Sequence, residues 1–259
     1  MMIRKIGVTA TLGLLAIAAL SHASFAACPT LGSPSAPMIQ FDADCWAYET
    51  SYDASTYNSS AGSVLTIVGI INGFNAPLAF LNAADPNKEY TFVCSNLVSA
   101  GTVTANPFGS SFFYDTDYNG GTFTIYEGSP RNAPTAATIG TNPAGGATVP
   151  ANFQDGTAIM TGSLCGFHTS ISKTGTQLPN GSWTATYAFT NPNAPGPPPA
   201  GNLFNLLGDA QAAFGGLWCV RTGSCTPATY SAHPNGKWDS PPSTGAVKST
   251  WGTLKTLYR

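Results

Sequence analysis

With 259 residues, a formal charge of −2 and charged side chains on only 8% of positions, the chain has too few cations to neutralise phosphates or to grip an anionic membrane surface. Nucleic acid is therefore excluded as a main partner. The 28 glycines and 20 prolines punctuate stretches rich in Thr, aromatic and β-branched residues, the composition of many short strands cut by turns.

The first 26 residues read as an export signal. Arg4 and Lys5 form a basic start, residues 7–20 are apolar but too short for a bilayer span, and Ser24-Phe25-Ala26 offers a small-x-small cleavage site, so the mature chain starts at Ala27. Removing two of the ten basic residues leaves a mature formal charge of −4. A competing lipoprotein reading would acylate Cys28, but Phe25 stands where that box prefers Leu and five cysteines would remain, an odd number. No later stretch supplies eighteen uninterrupted apolar residues. The expected address is secreted or periplasmic.

Residues 27–60 read as an irregular segment in which acids accompany aromatic rings: Asp42, Asp44, Glu49 and Asp53 beside Trp46, Tyr48 and Tyr52. Trp46, Tyr48, Asp44 and Glu49 form a candidate carbohydrate-contacting surface, since sugars stack on aromatic faces. A pair among these carboxylates could serve a glycosidase.

The body, 61–190, carries five predicted strands. Residues 63–71 form a nearly continuous apolar run; 89–99 place Tyr90, Phe92 and Cys94 on one face; 121–127 place Phe123 and Ile125 inward; 156–168 form a long strand with a bulge expected at Gly162. Trp183, Ala185, Tyr187 and Phe189 then alternate with small residues. With a long loop at 128–151, this predicts an all-β fold, an antiparallel β-sandwich or jelly-roll.

Between the second and third strands, Asp115-Thr-Asp117-Tyr-Asn119-Gly120 puts three oxygen side chains at alternate positions before a glycine, as in calcium loops. The twelfth position, where such a loop needs a bidentate Glu, is Tyr126. The alternative is a hairpin turn. Calcium is the only cofactor suggested. His168 reads as a residue at a strand end and His233 as part of a turn; no Gly-x-Ser-x-Gly, His-Glu-x-x-His or phosphate-binding loop is present.

The proline-rich stretch 191–201 breaks the chain before a tail, 202–259, expected to pack on the body. Leu203, Leu206, Leu207, Ala210 and Phe214 recur at helical spacing and predict one short helix over 202–214. Six cysteines lie beyond the signal: Cys28, Cys45, Cys94, Cys165, Cys219 and Cys225. In an exported chain they are expected to form disulfides. Cys219 and Cys225 flank a turn, Cys94 and Cys165 lie in strands, and Cys28 with Cys45 would close the amino-terminal segment.

Residues 120–127 (GGTFTIYE), Asn132-Ala133, and 149–167 (VPANFQDGTAIMTGSLCGF) resemble a layout shared by exported bacterial β-rich proteins of the PEP-CTERM-associated type. The likeness spans roughly residues 63 to 190, and the chain lacks the Pro-Glu-Pro sorting tail. The resemblance implies a β fold and an envelope address. The expected function is non-catalytic binding or structure in the envelope or extracellular matrix, with polysaccharide or another matrix component as partner. The alternatives are a secreted carbohydrate-active enzyme using an Asp/Glu pair and a calcium-dependent adhesion module.

Overall fold

The computed structural model describes residues 37–41, 44–75, 78–107, 109–135, 151–189, 211–221, 225–226 and 230–239. The expected export signal, Cys28, Asp42, the proline-rich break and residues 202–210 of the expected helix lie outside them.

The described chain is built of antiparallel strands: β1 (Pro37–Phe41), β2 (Cys45–Glu49), β3 (Tyr52–Asp53), β4 (Asn58–Ser59), β5 (Val64–Ile70), β6 (Gly73–Phe74), β7 (Glu89–Ala105), β8 (Ser111–Asn119), β9 (Thr122–Gly128), β10 (Thr157–Thr174), β11 (Asn180–Phe189), β12 (Gln211–Cys219), β13 (His233–Pro234) and β14 (Gly236–Asp239). A single 3-10 turn, Ala151–Phe153, is the only helical element among the described residues. The all-β class is as expected.

Several short strands are halves of longer ones. Strands β8 and β9 both lie between β7 and β10, and the register runs unbroken across Gly120-Gly121: Val98 faces Asn119 and Ser95 faces Thr122, while Phe167 faces Tyr118 and Ser163 faces Thr122. Gly120 and Gly121 hold φ of +68° and +99°, which only glycine adopts cheaply, so the strand jogs without ending. Similarly, β5 runs on into β6, and β2 pairs with β5 while β1 pairs with β6.

Counted this way, neighbours in the sheet follow chain order from β1–β2 through β5–β6, β7, β8–β9, β10, β11 and β12 to β13–β14. The last unit then pairs with the first: β14 lies on β1, and Ala47 bridges Ala232 beside β13. The two layers of the expected sandwich are thus opposite walls of one closed eight-stranded meander.

Alternation decides what fills it. Phe41, Phe92, Phe123, Phe167, Trp183 and Tyr187 point inward and stack on one another, with Phe41–Phe92 centroids 4.7 Å apart and Phe167–Trp183 centroids 5.3 Å apart. The cavity among Phe41, Phe92, Phe123, Phe167 and Trp183 is about 10 Å³, room for at most one water. On the outside, β8, β10 and β11 present Asp115, Asp117, His168, Ser170, Ser182 and Thr184, the reverse of a barrel wall that faces lipid. No helix among the described residues is long and apolar enough to cross a membrane.

One outer patch is apolar and covered. Trp46, Tyr48, Val68 and Val93 are buried beneath Ala133, Phe153 and Tyr230. The cover is pinned by polar clips: the buried carboxylate of Glu89 accepts from the Ala133 amide at 3.1 Å, and the Thr91 hydroxyl donates to the Phe153 carbonyl at 2.8 Å.

Three sequence expectations need correction. The amino-terminal segment is not an irregular annex, because β1 and β2 are wall strands. The tail likewise supplies β12 to β14, and residues 211–214, the expected last turn of a helix, pair with 185–188 as strand. Leu and Ala periodicity was outweighed there by a long neighbour edge waiting to be paired. Third, β10 shifts register at Ala158/Met160 and at Leu164/Gly166 rather than at Gly162. Gly162 is small for another reason: a side chain there would strike the Ala188 carbonyl and the Tyr187 ring.

The Cys219–Cys225 disulfide is present, with Cα atoms 6.2 Å apart. Cys94 is a buried thiol, so the expected Cys94–Cys165 bridge is not made. Leu164 takes the inward position opposite the core, and Cys165 falls at the β10 bulge, half-exposed. Burial raises the Cys94 thiol pKa far above the usual range, which keeps it unreactive. Replacing both Cys219 and Cys225 by serine is expected to cost about 2 kcal/mol, the loop-closure value for so short a ring. Denaturant melts of the oxidised protein and the double variant check it.

Candidate functional site

Because the interior is filled, chemistry available to a partner lies on the outer wall. There β8 and β10 pair so that Asp117 sits directly opposite His168. The Asp117 carboxylate lies 2.8 Å from His168 Nδ1, and Asp115 lies 3.7 Å from Nε2. The imidazole is held between two carboxylates on open strand surface, 41% exposed. Asp117, Asn119, Gly166, His168, Thr184 and Thr186 line a cleft of about 430 Å³.

The same transverse row continues across the sheet. His168 pairs with Thr184, Thr184 with Gly215, Gly215 with Lys237, and Lys237 with Gln40. A second cleft of about 320 Å³ is lined by Gln40, Asn72, Gly215, Leu217, Asn235 and Lys237. Thr184 borders the first and its strand partner Gly215 borders the second, so the two adjoin as a trough about 14 Å long from His168 to Lys237, three strand spacings.

The glycines of this trough differ in kind. A side chain at Gly216 would strike the Asn235 carbonyl, and one at Gly236 would lie 2.7 Å from the Trp183 ring, so both are required by packing. At Gly215 the nearest atoms are the Trp183 carbonyl at 3.4 Å and the Thr184 methyl at 3.9 Å, ordinary contacts that any residue could make. A strand-interior glycine costs about 0.5–1 kcal/mol relative to alanine, and its floor stays open to whatever approaches.

No family model matches the chain, and no curated protein or solved structure is found similar to it. The site is therefore read from its own atoms.

The sequence-predicted residues fall in two places, neither as expected. Asp115, Asp117 and Asn119 do not form a loop; they are alternate residues of β8. All three point out along one strand face about 7 Å apart, where a calcium loop would curl its oxygens onto one point. Among the described residues no group of three or more His, Cys, Asp or Glu side chains is placed to hold a metal.

Trp46 and Tyr48 are each 1% exposed, under Phe153 and Tyr230, so neither presents a face to a sugar. Glu49 points the other way, into the end of the barrel, and is 8% exposed. Asp44 stays half-buried at the start of β2. Period-2 alternation separates them: Trp46 and Tyr48 share one face of β2, and Cys45, Ala47 and Glu49 share the other.

Sequence reasoning missed the partnership of His168 with Asp117 and the parts played by Thr184, Gly215 and Lys237. A signal existed for the first: with Tyr118 and Phe167 assigned inward, their chain neighbours Asp117 and His168 must both face out.

Proposed function

We propose that the mature chain is an exported, non-catalytic binding or structural protein of the bacterial envelope or extracellular matrix, and that it engages polysaccharide along the outer trough at Thr184 and Gly215. The observation that carries this reading is the trough itself, open and bordered by hydroxyls and amides on a barrel whose core is packed with aromatic rings. Its rim offers hydroxyls and amides from Thr184, Thr186, Gln40 and Asn235, groups that exchange hydrogen bonds with sugar hydroxyls. Two carboxylates, Asp115 and Asp117, flank His168 at one end and Lys237 stands at the other, so charges of both signs bracket the trough and a neutral polymer suits it better than a strongly charged one. The export signal, the disulfide and the resemblance noted above support an envelope or extracellular address.

Residues 27–259 should co-sediment with insoluble neutral glucan or mannan without releasing reducing ends. Gly215→Tyr, whose Cβ meets only the Trp183 carbonyl at 3.4 Å and the Thr184 methyl at 3.9 Å, should fill the trough and abolish retention, and Gly215→Ala should preserve it. Release of reducing ends would overturn the non-catalytic reading, and undiminished retention of Gly215→Tyr would move the site elsewhere. Thr184→Tyr, at an exposed position across the trough, provides the same test from the neighbouring strand.

A further inference from the structure

The connection between β2 and β5 folds back as the β3–β4 hairpin across one end of the barrel. Its own turn is tied by Asp53, which accepts from the Ser55 amide at 2.8 Å, the Ser55 hydroxyl at 2.6 Å and the Thr56 hydroxyl at 2.7 Å. Its attachment to the wall is different in character. The Ser59 amide donates to Thr102 Oγ1 at 2.7 Å, and the Ser59 hydroxyl lies 2.6 Å from that of Ser99 while donating to the carboxyl of Glu49. The other oxygen of Glu49 accepts from the Tyr118 hydroxyl at 3.0 Å.

Glu49 is thus a buried carboxyl surrounded by hydroxyls. The titratable groups facing it are Tyr118 from β8 and Tyr52 from the hairpin; Asp53 and Tyr57 stand farther out against Tyr52. None is a cation. Lys173 is spent over the Tyr57 ring at 5.4 Å, Lys88 pairs with Glu127, and Arg131 donates to the Ala83, Asp85 and Lys88 carbonyls. Asp53, held at about 2 by its Ser55 and Thr56 donors, stays negative at any ordinary pH.

A carboxylate desolvated here has no positive partner among the described residues, and the movable element beside it is the hairpin. Strands β2, β7 and β8 are locked in ladders, whereas hairpin residues 53–56 are exposed and the hairpin grips the wall through Ser59, the Tyr57–Tyr114 ring contact and Lys173 over the Tyr57 ring. We propose that Glu49 is a proton-operated latch: uncharged, its carboxyl stays buried against Ser59 and holds the hairpin over the barrel end; ionised, its desolvated charge drives the hairpin to lift and admit water to the carboxylate and to the Ser59, Ser99 and Tyr118 hydroxyls.

The direction follows from linkage. Burial raises the Glu49 pKa above the ordinary carboxylate value, against the lowering donors Ser59, Ser63 and Tyr118. The closed state therefore holds a proton that the open state releases. Closure is fully favoured below the ordinary glutamate value and is lost as pH rises through the raised one.

The test is hydrogen–deuterium exchange of residues 50–63 in the full mature chain from pH 4 to 9, corrected for intrinsic rates. Once pH passes the ordinary carboxyl titration of the open state, hairpin protection should fall about tenfold per pH unit until the carboxyl ionises in the closed state, and then level off. Glu49→Gln should keep low-pH protection throughout, and Ser59→Ala should be weakly protected at every pH. Protection that ignores pH in the native protein, or the same pH dependence in Glu49→Gln, would overturn the latch. So would Ser59→Ala protected like the native chain. None of these results bears on the Gly215 trough, which is read by co-sedimentation.

Discussion

Replacing Trp46 by alanine should destabilise the protein by about 3–5 kcal/mol, the cost of emptying a large, fully enclosed aromatic site. The indole is 1% exposed and lies against Phe153 at 6.5 Å, Tyr230 at 6.4 Å and His233 at 6.3 Å between centroids. It joins β2 to a cover drawn from both the 133–153 region and the segment before β13. Its loss should therefore loosen the cover and the barrel seam together, lowering the melting temperature by about 10 °C or more. Calorimetry and denaturant midpoints check this, with co-sedimentation as the contrasting readout. A variant of unchanged stability that no longer held polysaccharide would instead mark Trp46 as a sugar contact.

Two adjacent glycines should behave in opposite ways. Gly216→Ala drives a methyl into the Asn235 carbonyl and to within 2.7 Å of the Gly236 Cα, both backbone atoms that cannot rotate aside. The same carbonyl accepts from the Trp183 indole at 2.9 Å, and the Asn235 side chain accepts from the Leu217 amide at 3.0 Å, so separating the chains also breaks these bonds. A loss of about 3 kcal/mol or more is expected. Gly215→Ala meets no such obstacle and should gain about 0.5–1 kcal/mol by restricting the unfolded chain. Paired denaturant titrations of the two variants decide the matter; equal losses would mean that Gly215 is as tightly packed as its neighbour.

What was legible in the sequence was what strict alternation reports. Residues 64–70, 89–99, 122–128 and 183–189 show apolar side chains at two-residue intervals or in unbroken runs, and each lies in a strand; Phe123 and Ile125 point inward as expected, and Tyr90, Phe92, Cys94, Trp183, Ala185 and Tyr187 join them in the core. The strand at 111–119 was hidden because its outward positions are Asp115, Asp117 and Asn119, residues that also suit turns and ion loops. Its inward Thr116 and Tyr118 are too polar to advertise a core.

The site was less legible, for a geometric reason. His168, Thr184, Gly215 and Lys237 meet only because four strands happen to pair in one register, and no local pattern encodes that alignment. Gly215 is harder still, since its contribution is a missing side chain. Glu49 was visible as an acid among aromatics, but its direction hangs on the parity of β2, which a short strand flanked by turns does not announce.

Closure of the wall between β1–β2 and β13–β14 sets an order in time. A ribosome makes the amino end first, so β1 and β2 emerge long before the strands that will cover their outer edge. The meander can zip up neighbour by neighbour as it is made, yet one flank of β2 keeps unpaired amides and carbonyls until residues 230–239 arrive. During that interval the growing chain is most apt to pair with another copy of itself. Loss of those last strands would make the interval permanent, so truncation before residue 230 should yield aggregates rather than a smaller soluble barrel.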